Sequence, residues 1–274
     1  MNPFKVVLRA ELQESMRSRW FIGYTLLFSG FVSMIFIAGV TDSYVLGFTG
    51  LTRLLLIFIQ GCNIVLPIFI LMTAVRVIAG DRDSHILEYM LSFPVSLKDY
   101  YWGKLIGRYI VVFLPLVFAM ILAVIIGLFS GGVPWGLVVL YTMLLLCNSF
   151  AFLGIGFFIS VRVRSQEMGV AVSLFLWLFL IALIDVTLIG FMIKSRISPE
   201  LIFTIALTNP VQVFRVVAIS LFDPTLTVIG PAAYFILDRA GRVPFITFGL
   251  VYNMLIGLSF AVAGYFSFKK KDLI

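Results

Sequence analysis

The chain has 274 residues, 62% hydrophobic and 12% charged, against about 45–50% apolar and about 25% charged in soluble domains. No water-soluble core hides that much apolar surface, which excludes an ordinary soluble enzyme or binding domain. The formal charge of +7 would suit nucleic acid, but in a membrane chain the position of charge outweighs its sum, and no nucleic-acid partner is expected.

Residues 3–18 come first. Phe4, Val7, Leu8, Leu12 and Met16 recur at helical spacing, with Lys5, Arg9, Glu11, Gln13 and Arg17 on the rest of the wheel. The pattern predicts a helix lying in the headgroup layer, or one packed under a helical bundle. Crossing the hydrocarbon takes about 20 residues. Uncharged runs of that length predict six transmembrane helices at roughly 20–41, 54–75, 108–129, 135–161, 168–193 and 245–268, with "SGGVPW" at 130–135 dividing the longest run. The expected fold class is an all-α integral membrane protein with residues 1–274 as a single transmembrane domain.

Spans two and three are joined by "GDRDSHILEYMLSFPVS", residues 80–96, which contains the only histidine. Asp81 and Asp83 sit where a helix amino end favours negative charge, and Ile86, Leu87, Met90 and Leu91 form one apolar face before Pro94. A short amphipathic helix over 81–93 is predicted. It is a docking element or a solvated connector, and the apolar face argues for a cover, protein or lipid.

A loop over 194–244 lies on the other side. "SRISPELIF" carries a cap signature at Ser198, Pro199 and Glu200; that helix should stop at Asn209-Pro210, and a second should run from Val211 to Phe222. Neither is long enough to cross a bilayer, so surface or re-entrant helices are expected. Assigning the loops to alternate sides places fourteen of the twenty Lys and Arg on the face with both termini and the 81–93 segment. The positive-inside rule makes that face cytoplasmic, and the expected location is the inner membrane. The run after Arg19 is long enough to span and lacks a small-residue cleavage site, so no secretory signal is predicted.

Catalytic signals are sparse. His85 is alone, no H-x-x-x-H, C-x-x-C or G-x-S-x-G pattern occurs, and "YYWGKLIG" at 100–107 has Gly-Lys without the rest of a phosphate loop. No catalytic residue, cofactor or metal site is assigned to this chain. Cys62 and Cys147 fall inside predicted helices and read as buried thiols. With the ten methionines they offer soft ligands for Cu(I), but methionine in apolar helices is ordinarily packing material. Asp185, within "LIALIDVTLIGF", would cost about 2.5–3.5 kcal/mol if ionised in lipid, so it should face protein or water. It is a translocation candidate, or it pairs with Lys194 or Arg196 at the boundary. Gln60, Asn63 and Asn148 are further intramembrane polar candidates, read first as interhelical hydrogen-bonding groups.

The run "GDRDSHILEYMLSFPVSLKDYYWGK", residues 80–104, resembles the coupling segment of type-2 ABC exporter permeases, and "FKVVLRAELQESMRSRW" resembles the interfacial helix that opens such subunits. "LGFTG" at 46–50, Asp185 and "LTNPVQVFRVVAIS" at 207–220 are similar to the NosY group of that family, membrane subunits of NosDFY transporters serving maturation of the copper sites of nitrous-oxide reductase. The resemblance implies a homodimeric permease and two NosF-type ATPase subunits that bind ATP and Mg. The ATPases would receive Asp81, Asp83, His85, Ile86, Leu87, Glu88, Met90 and Leu91. A periplasmic NosD-type protein would meet Asn209, Pro210 and Arg215, and the cargo would be a small sulfur-containing or copper-related species. The alternative is a mechanotransmission subunit that drives the periplasmic partner and carries nothing. This chain has Ser84, His85 and Ile86 where the family usually has a Gly-Gly or Gly-Thr turn.

Overall fold

The computed structural model describes residues 2–39, 50–129, 135–183, 207–222 and 241–270. Among them every regular element is helical: α1 (Pro3–Arg17), α2 (Arg19–Gly39), α3 (Gly50–Asp83), α4 (Ile86–Leu91), α5 (Leu97–Phe129), α6 (Trp135–Arg162), α7 (Gln166–Leu178) continued by a π-turn (Phe179–Leu183), α8 (Pro210–Phe222) and α9 (Arg242–Lys270). Four stretches are long and apolar enough to cross a membrane: Ile59–Asp83, Leu97–Ile125, Trp135–Arg162 and Arg242–Lys270. The outer part of the expected fifth span, the 46–49 part of "LGFTG", Asp185 and the expected helix after Ser198 lie outside the described residues.

Local sequence sets the helix ends. Asn2 caps α1 by accepting from the Phe4 amide at 3.1 Å, with Pro3 at the first helical position. Ser18 closes α1 and opens α2 at once: its hydroxyl donates to the Ser15 carbonyl (2.7 Å) and accepts from the Phe21 amide (3.2 Å). Ser96 caps α5 by accepting from the Asp99 amide at 3.0 Å.

Two helices exceed the spans expected for them. α3 runs to Asp83 rather than stopping near 75, and α5 begins at Leu97 rather than 108. Charge ends the apolar run without ending the helix, because the charged groups find protein partners. Arg82 donates to the Ser160 and Val163 carbonyls at 3.3 and 2.8 Å, filling acceptors left open at the end of α6. The Ser160 hydroxyl accepts from the Ile78 and Ala79 amides in turn. At 1.5 Å per residue, α3 is about 50 Å long, well beyond the roughly 30 Å of hydrocarbon.

The bundle closes by backbone approach at small residues. A Cβ at Gly154 would stand 2.2 Å from the Gly257 carbonyl oxygen, and one at Gly257 would stand 2.7 Å from that of Phe150, so α6 and α9 touch main chain to main chain. Gly156 receives Ala74 of α3, and Gly169 of α7 receives Val75. The aromatic pair Tyr24–Phe69, stacked at 3.7 Å, seats α2 on α3.

α8 is buried among α3, α6 and α9, with Val213, Phe214, Val217 and Ala218 at 0% exposure, so it does not lie on an outer surface. Asn209 starts it, accepting from the Val211 amide at 3.0 Å and donating to the Leu180 carbonyl of the π-turn at 2.6 Å. Arg242 donates to the Leu221 carbonyl at its other end, 2.8 Å.

The α6–α9 contact generates a test. Gly154→Ala must push two backbones apart, at an expected cost of about 1–3 kcal/mol. Gly136→Ala, on the same helix with nothing within 4 Å of the added carbon, should be neutral or mildly stabilising. Equal denaturation midpoints for the two variants in detergent would contradict the close seam.

Candidate functional site

The end of the bundle that carries α1 and α4 holds the densest chemistry among the described residues. α5 presents "GKLIGR", residues 103–108, in which two glycines and two basic residues each recur at i, i+4 and so share one face. That face receives α1. Cβ atoms at Gly103 and Gly107 would meet Val7 at 3.0 Å and Glu11 at 2.8 Å, so the glycines are the groove in which α1 lies.

The basic pair faces carboxylates from two other helices. Lys104, 4% exposed, is 3.0 Å from Glu11 of α1 and 2.8 Å from Asp81 of α3, while Arg108 is 2.9 Å from Glu11. Ser15 donates to Glu11 at 3.0 Å, and the buried Tyr100 hydroxyl donates to Asp81. Asp81 thus stands at the carboxyl end of α3, where the helix dipole disfavours it, and Lys104 reverses the sign of its surroundings. Burial by itself would raise the Glu11 carboxyl; Arg108 and Lys104, with hydrogen bonds from Lys104 and Ser15, outweigh it and hold the group below its ordinary value of 4.5.

Asp83 is also occupied within the chain: its carboxylate accepts from the Gln166 amide at 2.6 Å, adding to the Ser165 cap at the start of α7. Neither aspartate starts a helix over 81–93. The helical segment there is α4, Ile86–Leu91, separated from α3 by His85 at φ +57°. That left-handed conformation costs an L-residue about 1–2 kcal/mol and is free to glycine. His85 lies 3.2 Å from Glu88, both side chains exposed.

α4 and the turn that follows it divide their apolar residues between two sides. Leu87 is 2% exposed, and Met90 and Leu91 pack half-buried against the core, anchoring the segment inward. Ile86, Tyr89 and Phe93 point outward at 40, 65 and 48% exposure, the two rings in edge contact at 5.1 Å. Tyr89 and Phe93 are the outward residues that the sequence pattern missed; their i, i+4 spacing was the available signal.

The remaining candidates are dispersed. Gln60 is exposed on α3. Asn63 of α3 and Asn148 of α6 are 4 and 1% exposed and keep amide atoms without hydrogen-bond partners, as does Asn253 of α9. Asn209 and Pro210 are buried at the start of α8, with Arg215 half-buried along it. Cys62 is buried and Cys147 half-buried, and among the described residues no cluster of His, Cys, Asp or Glu could hold a metal ion.

The ion cluster gives a pH signature. Glu11→Gln leaves Lys104 and Arg108 with less compensation in a buried setting and should cost about 3–5 kcal/mol. Because the folded-state value of Glu11 lies below 4.5, its contribution is complete above that pH and is lost as pH falls through the folded value. The stability gap between wild type and Glu11→Gln, followed by denaturation in detergent, should therefore be constant near neutrality and close in acid; a pH-independent gap would contradict the pairing.

Comparison with known proteins agrees with this architecture. The ABC-2 family transporter protein family matches residues 5–273. The chain is 24% identical over 237 residues to "Probable ABC transporter permease protein NosY" of Stutzerimonas stutzeri, covering 84% of this chain and 86% of that protein. It is likewise 24% identical over 236 residues to the protein of the same name from Pseudomonas aeruginosa, covering 79 and 82%. With that family match over nearly its whole length and several apolar helices able to span a bilayer, the chain belongs to the ABC-2 transporter family and is a NosY-like, multi-pass membrane permease.

Proposed function

We propose that the chain couples a separate, NosF-type ATPase to movement of its own helices, with α4 as the contact. The observation that carries this reading is the division of α4: Leu87, Met90 and Leu91 hold it to the bundle, and Ile86, Tyr89 and Phe93 are left for a partner. A helix anchored on one side and sticky on the other transmits force in a way that a loose loop does not. Asp81 to Lys104 and Asp83 to α7 continue the path into α5, α1 and α7, so a push on α4 turns several helices together.

On this reading two copies of the chain assemble with two ATPases, which hold ATP and Mg, and this chain has no catalytic step of its own. Six spans put both termini and α4 in the cytoplasm, and α1 lies at the bilayer surface. A NosD-type protein sits on the opposite face near the 194–244 loop. The cargo is a small sulfur-containing or copper-related species used in nitrous-oxide reductase maturation. The buried side-chain oxygens of Asn63, Asn148 and Asn253, without hydrogen-bond partners among the described residues, favour a transport path. The backbone contact of α6 with α9 favours the second reading, in which the bundle relays motion to the periplasmic partner without opening.

The docking claim is testable by co-purification with the co-expressed ATPase. Replacing Tyr89 and Phe93 together by serine should weaken association by about 30-fold or more, as loss of an aromatic hot spot does. The denaturation midpoint of the chain itself should hold, because both rings are exposed. Undiminished association would refute α4 as the grip.

A further inference from the structure

A cavity of about 220 Å³ opens at the corner where α1 passes into α2, between Ser18 and Trp20 on one side and Phe69, Thr73 and Arg76 of α3 on the other, with Arg108 of α5 at its back. Taking a water as about 30 Å³, that is room for a phosphodiester and part of its glycerol.

Three cations, Arg76, Lys104 and Arg108, and two carboxylates, Glu14 and Asp81, line it. Lys104 is committed to Glu11 and Asp81, Arg108 shares Glu11 at 2.9 Å, and Glu14 on the rim is 68% exposed and 4.0 Å from Lys104, which leaves Arg76 as the cation without a carboxylate. Arg76 has no carboxylate within ion-pair distance among the described residues; its guanidinium lies over the Trp20 ring at 5.2 Å. The Nε groups of Arg76 and Arg108 are both buried without a hydrogen-bond acceptor. Two buried N–H donors without an acceptor are costly, and an anion would satisfy them. Guanidinium groups suit phosphate oxygens, which they approach through paired N–H donors.

The apolar lining narrows the choice of anion. Trp20, 58% exposed, begins the apolar run of α2, the position at which tryptophan marks a membrane surface, and Phe69 and Met72 continue the cavity toward the apolar middle of α3. A free anion has no use for that wall; acyl chains do.

We propose that this cavity binds the phosphate of an anionic phospholipid, with Arg76 as the principal ligand, Arg108 assisting, and Trp20, Phe69 and Met72 against the first methylenes. The lipid would then fill the wedge between the α1–α2 corner and α3. This assignment depends only on the membrane location of the chain and is independent of which ATPase it serves.

The test uses the full chain in detergent with lipids brominated on the acyl chain, which quench nearby tryptophan. The Trp20 signal is the difference between wild type and Trp20→Phe. Brominated phosphatidylglycerol should quench Trp20 at about tenfold lower mole fraction than brominated phosphatidylcholine, the ratio expected of one charge-assisted hydrogen bond. Arg76→Gln should bring the two lipids close to parity. Arg76→Lys, which retains the charge but not the fork, should fall between. Millimolar inorganic phosphate should leave the preference intact. Equal quenching by both lipids in wild type overturns the proposal whatever the variants do. Loss of the preference to inorganic phosphate also overturns it, in favour of a small-anion site.

Discussion

The ammonium of Lys104 is the point on which the arrangement of this end of the molecule depends. Three helices meet there, because Glu11, Asp81 and Lys104 come from α1, α3 and α5, and all three side chains are largely buried. Buried ion pairs are weak sources of net stability, since desolvation offsets much of their attraction. Their effect on geometry is stronger. Once Lys104 is buried, only placements that bring a carboxylate to it are tolerated, and both Glu11 and Asp81 meet that condition. Sliding α1 along α5 would take Glu11 away from the one position at which it meets both Lys104 and Arg108.

Small residues carry the same logic through the rest of the bundle. Apolar helices in lipid gain little from the hydrophobic effect against one another, so association relies on close packing and hydrogen bonds. Gly154 and Gly257 let α6 and α9 meet at the backbone, and Gly156 of α6 and Gly169 of α7 take in the side chains of Ala74 and Val75 of α3. These contacts make a dense block of α3, α6, α7, α8 and α9. α1 lies in the Gly103–Gly107 groove of α5 and is fixed there by the ion cluster, and α2 joins α3 through the stacked rings of Tyr24 and Phe69.

α4 sits where both groups can be reached. It leaves α3 through the left-handed His85 and returns to α5 through Pro94, with Leu87 set in the core between. With His85 rather than a glycine in the left-handed conformation the sharp reversal carries some conformational cost, and the Ser84 hydroxyl donates to the Gly80 carbonyl at 2.7 Å. Stiffness at that corner suits the coupling role proposed for α4.

Composition and run length alone determined that the chain is helical and built for a membrane, because hydrocarbon admits no unsatisfied backbone and sets the length of each apolar stretch. They also marked residues 80–96 as the exceptional segment, while helical periodicity located α1 and the Asn209-Pro210 break placed the start of α8. What the sequence could not decide was where the charged residues there would go. Asp81 and Asp83 read as the acidic start of a helix, whereas one is neutralised by Lys104 and the other caps α7, both through partners at least nineteen positions away. α3 and α5 extend past their apolar runs for the same reason. The orientation of α4 was hidden too, because a six-residue helix shows too little periodicity to distinguish an inward face from an outward one. Only tertiary packing chose, by offering Leu87 a place in the core and leaving Tyr89 and Phe93 without one.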